Sequence, residues 1–278
     1  MDFDGTFADH GSVPLGHVEA VRLARENGHR VFLCTGRARS MISPSVLEIG
    51  FDGLVASAGG YVEIDGEVLH DRRFPAELAA RTLSVLDEHD IAYVLEASEA
   101  IYGRDGVDER LLSILPPRRQ SQTVGGPVST GIFDLLVTPG DLSNRSFGKV
   151  TFFDSPIPLR HLAEKIGDEI DVLPSSIIGV TGASGELFMK GIDKAVGIAT
   201  VIDRLGVAQE DVVAIGDSYN DLEMLAFAGT AVGIEGSPPE VLDLADLVVP
   251  RPAEEGVAVA FRELGLTDDE VPAEAAAS

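Results

Sequence analysis

The apolar positions of this chain alternate between helical stripes and short runs. In HVEAVRLAREN, Val18, Val21, Leu23 and Ala24 recur at helical spacing, Gly28 closes the segment, and RVFLCTGR follows as a short apolar run. The order predicted is helix, turn, buried strand. The same grammar returns near the end: KAVGIATVIDRLG reads as helix, DVVAIGD as strand, NDLEMLAFAG as helix, TAVGI as strand, PPEVLDLA as helix and DLVVP as strand. Short apolar strands alternating with helices call for parallel pairing through right-handed crossovers, with helices over both sheet faces.

From Phe74 to Thr181 the texture changes. A helix (PAELAARTLSVLDEH), strands (IAYVLEA, AIYGR), a short helix (ERLLSIL), a loop rich in Pro, Gly, Ser and Gln, strands near GIFDLLVT and GKVTFFD, a helix (PLRHLAEKIGDE) and a run near SIIGVTG are expected. Strands separated by a few residues predict an antiparallel or mixed sheet with helices on one face. The fold class expected is α/β: a Rossmann-like parallel-sheet core over 1–73 and 182–278, interrupted by an α+β insert over 74–181.

With 278 residues, 45% of them hydrophobic, the chain is long enough to bury a large core. The 46 acidic and 21 basic residues leave a formal charge of −25, which argues against nucleic acid and anionic lipid as partners. The single cysteine, Cys34, excludes an intramolecular disulfide and a thiolate metal cluster; in an apolar run it reads as packing. No stretch is apolar and long enough to span a bilayer, and a cytoplasmic protein is expected. The six histidines show no metal-ligand spacing, and TDDE with PAEAAAS reads as a solvated tail.

In an open parallel sheet, ligands gather beyond the carboxyl ends of the strands. Four segments put polar residues there: Asp2 and Asp4 at the start, Thr35-Gly36-Arg37 after RVFLC, Lys194 at the front of a helix, and Asp217 with Asp221 after DVVAI. Four carboxylates offer the hard oxygen ligands that Mg2+ prefers, and clustering them without a cation is costly. One carboxylate could then attack phosphorus while another protonates the leaving oxygen and later activates water. Thr35 could donate to a phosphoryl oxygen, and Lys194 could neutralise charge on the nucleophile. Each motif alone has a plainer reading: D-x-D-G-T as a turn, TGR as the end of a strand, GDSYND as a helix start capped by Asp217 or Ser218.

Taken together and in order, DFDGT, CTGR, GIDK and GDSYND resemble the four motifs of the haloacid dehalogenase superfamily, and the long insert with GDSYNDLEML resembles its Cof-type sugar-phosphatase branch. The resemblance implies that Asp2 is the nucleophile and a metal ligand. It makes Asp4 the general acid and base, adding its main-chain carbonyl to the metal, and Thr35 the phosphoryl-holding residue. Lys194 becomes the basic residue of the third motif in preference to Lys190, and Asp217 and Asp221 hold Mg2+ directly or through water. Gly36, Arg37 and Asn220 fall where the branch places substrate or structural contacts. Where relatives carry Asn-Gly-Ala, this chain has Ala58, Gly59 and Gly60, which keeps the tight turn and removes an asparagine hydrogen bond.

The family also places a buried strand before its first motif, and no sequence for it precedes Asp2. The reading is that Met1 is internal to a longer natural protein, with a truncation that weakens activity as the alternative; the intact native mass separates them. The function expected is a Mg2+-dependent phosphatase acting through an aspartyl phosphate on a small phosphorylated metabolite, such as a sugar phosphate. The insert would serve as a lid, with Glu96, Tyr102, Arg104 and Arg118 as candidate contacts. The rival readings are a phosphomutase and a metabolite-binding module without turnover.

Overall fold

The structure is a computed structural model that describes residues 1–115, 131–175 and 183–267. Among them are thirteen strands. The first four are β1 (Phe32–Cys34), β2 (Gly53–Ala56), β3 (Tyr61–Ile64) and β4 (Glu67–Asp71), in that spatial order, with β1 and β2 parallel and the rest antiparallel. A middle sheet follows, built from β5 (Ala92–Glu96), β6 (Ile101–Gly103), β7 (Leu136–Val137), β8 (Lys149–Ser155), β9 (Ile170–Pro174) and β10 (Ala183–Met189) in the order β7-β6-β5-β8-β10-β9. The last three, β11 (Val213–Gly216), β12 (Thr230–Ile234) and β13 (Leu247–Val249), are all parallel.

Met1 and Asp2 connect the two outer sheets. Met1 donates its amine to Phe32 O (3.0 Å) and accepts from Cys34 N (2.8 Å), while Asp2 N donates to Ile215 O (2.8 Å). These two residues therefore lie between β1 and β11, in the place of the central strand that the family resemblance calls for. Cys34, Gly216 and Asp2 end at one edge, and the loops that leave it carry the candidate motifs.

Alternation sorts the core. Leu33, Leu54, Ile215 and Val232 belong to one cluster, packed under helices Leu15–Glu26 and Gly256–Glu263, whereas Cys34, Val55, Ala214 and Ala231 belong to another under Lys194–Leu205 and Leu222–Phe227. A strand buried on both faces has no polar side, which is why these segments read as continuous apolar runs. Phe3 and Phe7, both fully buried, anchor the first loop in the first cluster at about 1.5–3 kcal/mol each. Asp2 and Asp4 are thus presented from a turn whose aromatic residues cannot leave the core.

The expected helices and most expected strands are present, with three corrections. GIFDLLVT forms a helical turn, Ile132–Leu135, and only a two-residue strand, because Asp134 Oδ2 accepts from Gly131 N (3.0 Å) and folds the segment back on itself. β9 and β10 were not anticipated. Since β10 pairs with β8, the middle sheet runs to Met189, past the boundary expected at 181/182. SIIGVTG, the Pro/Gly/Ser/Gln loop with Arg118, and most of the acidic tail lie outside the described residues. No helix among the described residues is long and apolar enough to cross a membrane.

One histidine bears on stability. His17 is fully buried, with Nδ1 2.9 Å from Phe7 O and Nε2 3.1 Å from Val257 N, a pairing that only the neutral ring with its proton on Nδ1 satisfies. Burial lowers its pKa from the ordinary 6.5. The unfolded chain therefore takes a proton that the folded chain refuses. Stability from this residue is complete above pH 6.5 and is lost as pH falls below it, by up to about 1.4 kcal/mol per pH unit. Urea midpoints followed from pH 7.5 to 5 should show a steeper loss in the wild type than in His17→Gln; parallel curves would refute the assignment.

Candidate active site

The four motifs meet at the strand edge. Asp2, Asp217 and Asp221 place one carboxylate oxygen each within 4.8 Å of one another, a donor set able to hold a metal ion. Lys194 is the first residue of its helix, and helical side chains lean toward the N-terminus, so its stem runs back into the site. It is fully buried and donates to Asp2 Oδ1 (2.6 Å) and Asp221 Oδ1 (2.5 Å). Lys190 is exposed and offers its backbone N–H to Glu169 O, away from this cluster, so the structure brings Lys194 and not Lys190 to the carboxylates.

Backbone contact sets the height of that lysine. Asp193 caps the helix by accepting from Val196 N (2.9 Å). Beneath it lies the Ala58-Gly59-Gly60 turn, where Gly59 has φ +102° and a Cβ would meet Asp193 O at 2.0 Å. A Cβ on Gly197, one helical turn on, would lie 3.0 Å from Gly59 Cα and 2.4 Å from Val55 Cγ1. The glycines therefore supply close approach as well as a tight turn.

Asp221 organises its neighbours. Its Oδ2 accepts from the backbone of Asp217 and Ser218 (3.0 Å each), so with Lys194 on Oδ1 both of its oxygens are engaged. Asp217 Oδ1 accepts from Thr6 Oγ1 (2.6 Å), and Gly5, at φ +88°, leaves room for Asp217, whose Oδ2 a Cβ there would meet at 2.3 Å. Thr6 is a site residue that the sequence reading left without a role, although D-x-D-G-T placed it there.

Three carboxylates face one ammonium here. Burial raises the Asp2 carboxyl well above its ordinary range against the opposing pull of Lys194, and Asp221, Asp217 and Asp4 add to the rise. Burial, with Asp221 adding, pushes Asp217 up to about 7. Burial alone would lower Lys194, but Asp2 and Asp221 hold it above the usual lysine range. The site carries excess negative charge that a cation would relieve. With those bonds made, Asp2, Asp217 and Asp221 still offer one carboxylate oxygen each to a cation, so hard-oxygen coordination fits the donor set.

The Asp4 carboxylate lies outside this trio. It is exposed and gripped by Arg37 through Nε (2.5 Å) and Nη2 (2.6 Å), a two-pronged pair whose guanidinium also lies 5.2 Å from the Phe3 ring centre. The sequence set counted four clustered carboxylates; the side chains form three together and one at the rim. Thr35 is buried, and its Oγ1 accepts from Arg37 N (3.1 Å). Asn220 Oδ1 accepts from Ser218 Oγ (2.8 Å), and its Nδ2 lies so near Gly36 that a Cβ there would be 3.3 Å away. Gly36, Arg37 and Asn220 thus stand on one side of the carboxylates.

The middle sheet reaches this loop. Lys149 Nζ donates to Gly36 O (2.7 Å), Ser40 Oγ donates to Ala97 O (2.8 Å), and Ala38 packs with Val94, Ile101 and Phe153. Of the insert residues singled out from sequence, Glu96 lies beside Lys149, 3.2 Å away. Tyr102 packs in the cluster on the opposite face, and Arg104 pairs with Asp87 over the Tyr93 ring, so neither joins the site. Arg118 is outside the described residues.

Known proteins resemble this chain over nearly its whole length. A Bacillus subtilis (strain 168) protein, YkrA, is 28% identical over 271 residues, 96% of either chain. A phosphoglycolate phosphatase of Methanopyrus kandleri is 27% identical over 265 residues, covering 95% of this chain and 94% of its own. The solved structure of BT4131, described as a sugar phosphatase of subclass IIB, superposes with a TM-score of 0.72 at 20% identity, over 95% of this chain and 97% of that one, and shares the fold. The model of the haloacid dehalogenase-like hydrolases matches residues 1–261, and with nearly the whole chain under that match, the protein belongs to the haloacid dehalogenase-like hydrolase family.

Proposed function

We propose that this protein is a Mg2+-dependent phosphatase that hydrolyses a small phosphorylated metabolite, such as a sugar phosphate, through an aspartyl phosphate on Asp2. The observation that carries this reading is the convergence of Asp2, Asp217 and Asp221 around Lys194 at one strand edge. The Methanopyrus relative and the subclass IIB neighbour are named for acting on phosphoglycolate and on sugar phosphates, both phosphomonoesters, which supports the reaction class.

Asp2 Oδ2 attacks phosphorus as the ester P–O bond breaks, and the leaving oxygen takes a proton from Asp4. Asp4, now a carboxylate, takes a proton from water as that water's oxygen attacks phosphorus, which releases inorganic phosphate and restores Asp2. Lys194 holds Asp2 Oδ1, so that Oδ2 is the oxygen presented. Thr35 and the backbone of Gly36 and Arg37 would hold the phosphoryl oxygens, with Asn220 beside them. Asp2, Asp217, Asp221 and the Asp4 carbonyl would hold Mg2+, which when bound screens the carboxylates from one another and polarises the phosphoryl group. The middle sheet and its helices act as a lid that excludes water and contacts the leaving group.

A phosphomonoester screen tests the reaction: inorganic phosphate should appear with Mg2+ and vanish with a chelator, whereas an isomerised phosphate ester without free phosphate would reject hydrolysis. Cation binding has a separate readout. Because Asp217 holds its proton up to about pH 7, the cation-free fold loses stability as pH rises from about 4 to 7, and Mg2+ competes with that proton. The rise in unfolding temperature on adding Mg2+ should therefore be larger at pH 8 than at pH 5.5. An equal rise at both would count against these carboxylates as ligands.

A further inference from the structure

One face of the lid carries charge that the phosphoryl site does not use. β5, β8 and β10 are in register so that Glu96 stands opposite Lys149, and Thr151 opposite Glu186. Glu96 and Lys149 are each 3% exposed. The ammonium donates to Gly36 O (2.7 Å) and lies 3.2 Å from Glu96 Oε2 and 3.2 Å from Glu186 Oε2. Thr151 Oγ1 donates to Glu96 Oε1. Glu96 Oε2 is buried and accepts no hydrogen bond; its contact with Lys149 is electrostatic, without hydrogen-bond geometry.

Two carboxylates against one ammonium leave an excess negative charge and spare acceptor capacity on this face. Both carboxylates are close enough to the core to act on its charges: Glu96 on the Arg37 guanidinium and Glu186 on the Lys194 ammonium. The cations of the site and this face, Arg37, Lys149 and Lys194, are already engaged by carboxylates. A leaving group entering between lid and core therefore meets acceptors backed by negative charge.

We propose that Glu96, Lys149 and Glu186 select the leaving group, admitting a neutral one that donates hydrogen bonds, as adjacent hydroxyls do, and rejecting one that carries a second anion. The proposal rests on the phosphatase reading. A hydroxyl gives Glu96 Oε2 the hydrogen bond it lacks, whereas a carboxylate brings like charge beside Glu96 and Glu186, which already share the Lys149 ammonium.

Glycerol 3-phosphate and 3-phosphoglycerate share a three-carbon frame and differ by a hydroxymethyl against a carboxylate. With Mg2+ and the full chain, each is measured as a competitor of p-nitrophenyl phosphate hydrolysis, which returns an inhibition constant whether or not it is turned over. Glycerol 3-phosphate should bind at least about tenfold tighter. Glu96→Gln and Glu186→Gln, which remove one negative charge each, should narrow that ratio about threefold or more. A wild-type ratio near one, absence of inhibition by glycerol 3-phosphate, or a ratio unmoved by the substitutions overturns the proposal. If Glu96→Gln does not fold, the partly exposed Glu186 decides it through Glu186→Gln. Should neither p-nitrophenyl phosphate nor any ester of the phosphomonoester screen be hydrolysed, the phosphatase reading fails; in either case titration calorimetry of the two compounds on the Mg2+-loaded protein tests the preference by the same ratios.

Discussion

Asp2→Asn should lower phosphate release on the order of 10^4-fold while leaving the fold intact. The substitution keeps shape and a hydrogen-bond acceptor for Lys194, and it removes the attacking oxygen. It also takes one negative charge out of a buried cluster that repels itself, since burial and the neighbouring aspartates hold the Asp2 carboxyl well above its ordinary range. The unfolding temperature of the cation-free variant should therefore equal or exceed that of the wild type. The two measurements point in opposite directions, which a merely structural Asp2 would not produce. Unchanged turnover would reject the nucleophile assignment.

Lys194→Met is expected to abolish activity and, unlike Asp2→Asn, to cost about 3–5 kcal/mol of stability. The ammonium lies between Asp2 at 2.6 Å and Asp221 at 2.5 Å with no solvent contact, so its removal leaves buried carboxylates without their shared counter-charge. Urea unfolding at pH 8 reads the loss. The deficit should shrink toward pH 5, where the carboxyl whose proton Lys194 had displaced regains it, and added Mg2+ should recover part of it. A loss below about 1 kcal/mol would show that the cluster tolerates its own repulsion.

Much of this was legible in the sequence because both sheet faces of the core are covered. Leu33 and Cys34, or Ala214 and Ile215, point to opposite clusters and are all apolar, so the strands stand out as runs. Two of the four motifs were readable for the same reason, since CTGR and GDSYND each follow a core strand, β1 and β11, that ends at the same edge. What could not be read was lateral pairing. Glu96 closes one apolar run and Lys149 opens another, 53 positions on by the numbering, and only the register of β5 against β8 makes them neighbours. β10 escaped because its segment, ASGELFM, opens with three small residues and carries Glu186 in mid-strand, which breaks the apolar run. Asp4 was grouped with the other aspartates by residue type, yet Arg37 draws its side chain to the rim, a competition between partners that spacing does not express.

Gly59 and Gly197 touch neither the carboxylates nor the lid's charged trio, yet the longest buried side chain of the site depends on them. Their bare backbones stack the helix on the turn, and any methyl group placed between would act as a shim that lifts Lys194 out of reach of one aspartate or the other. Precision at the tip of a flexible lysine is thereby inherited from two positions with no side chain to adjust.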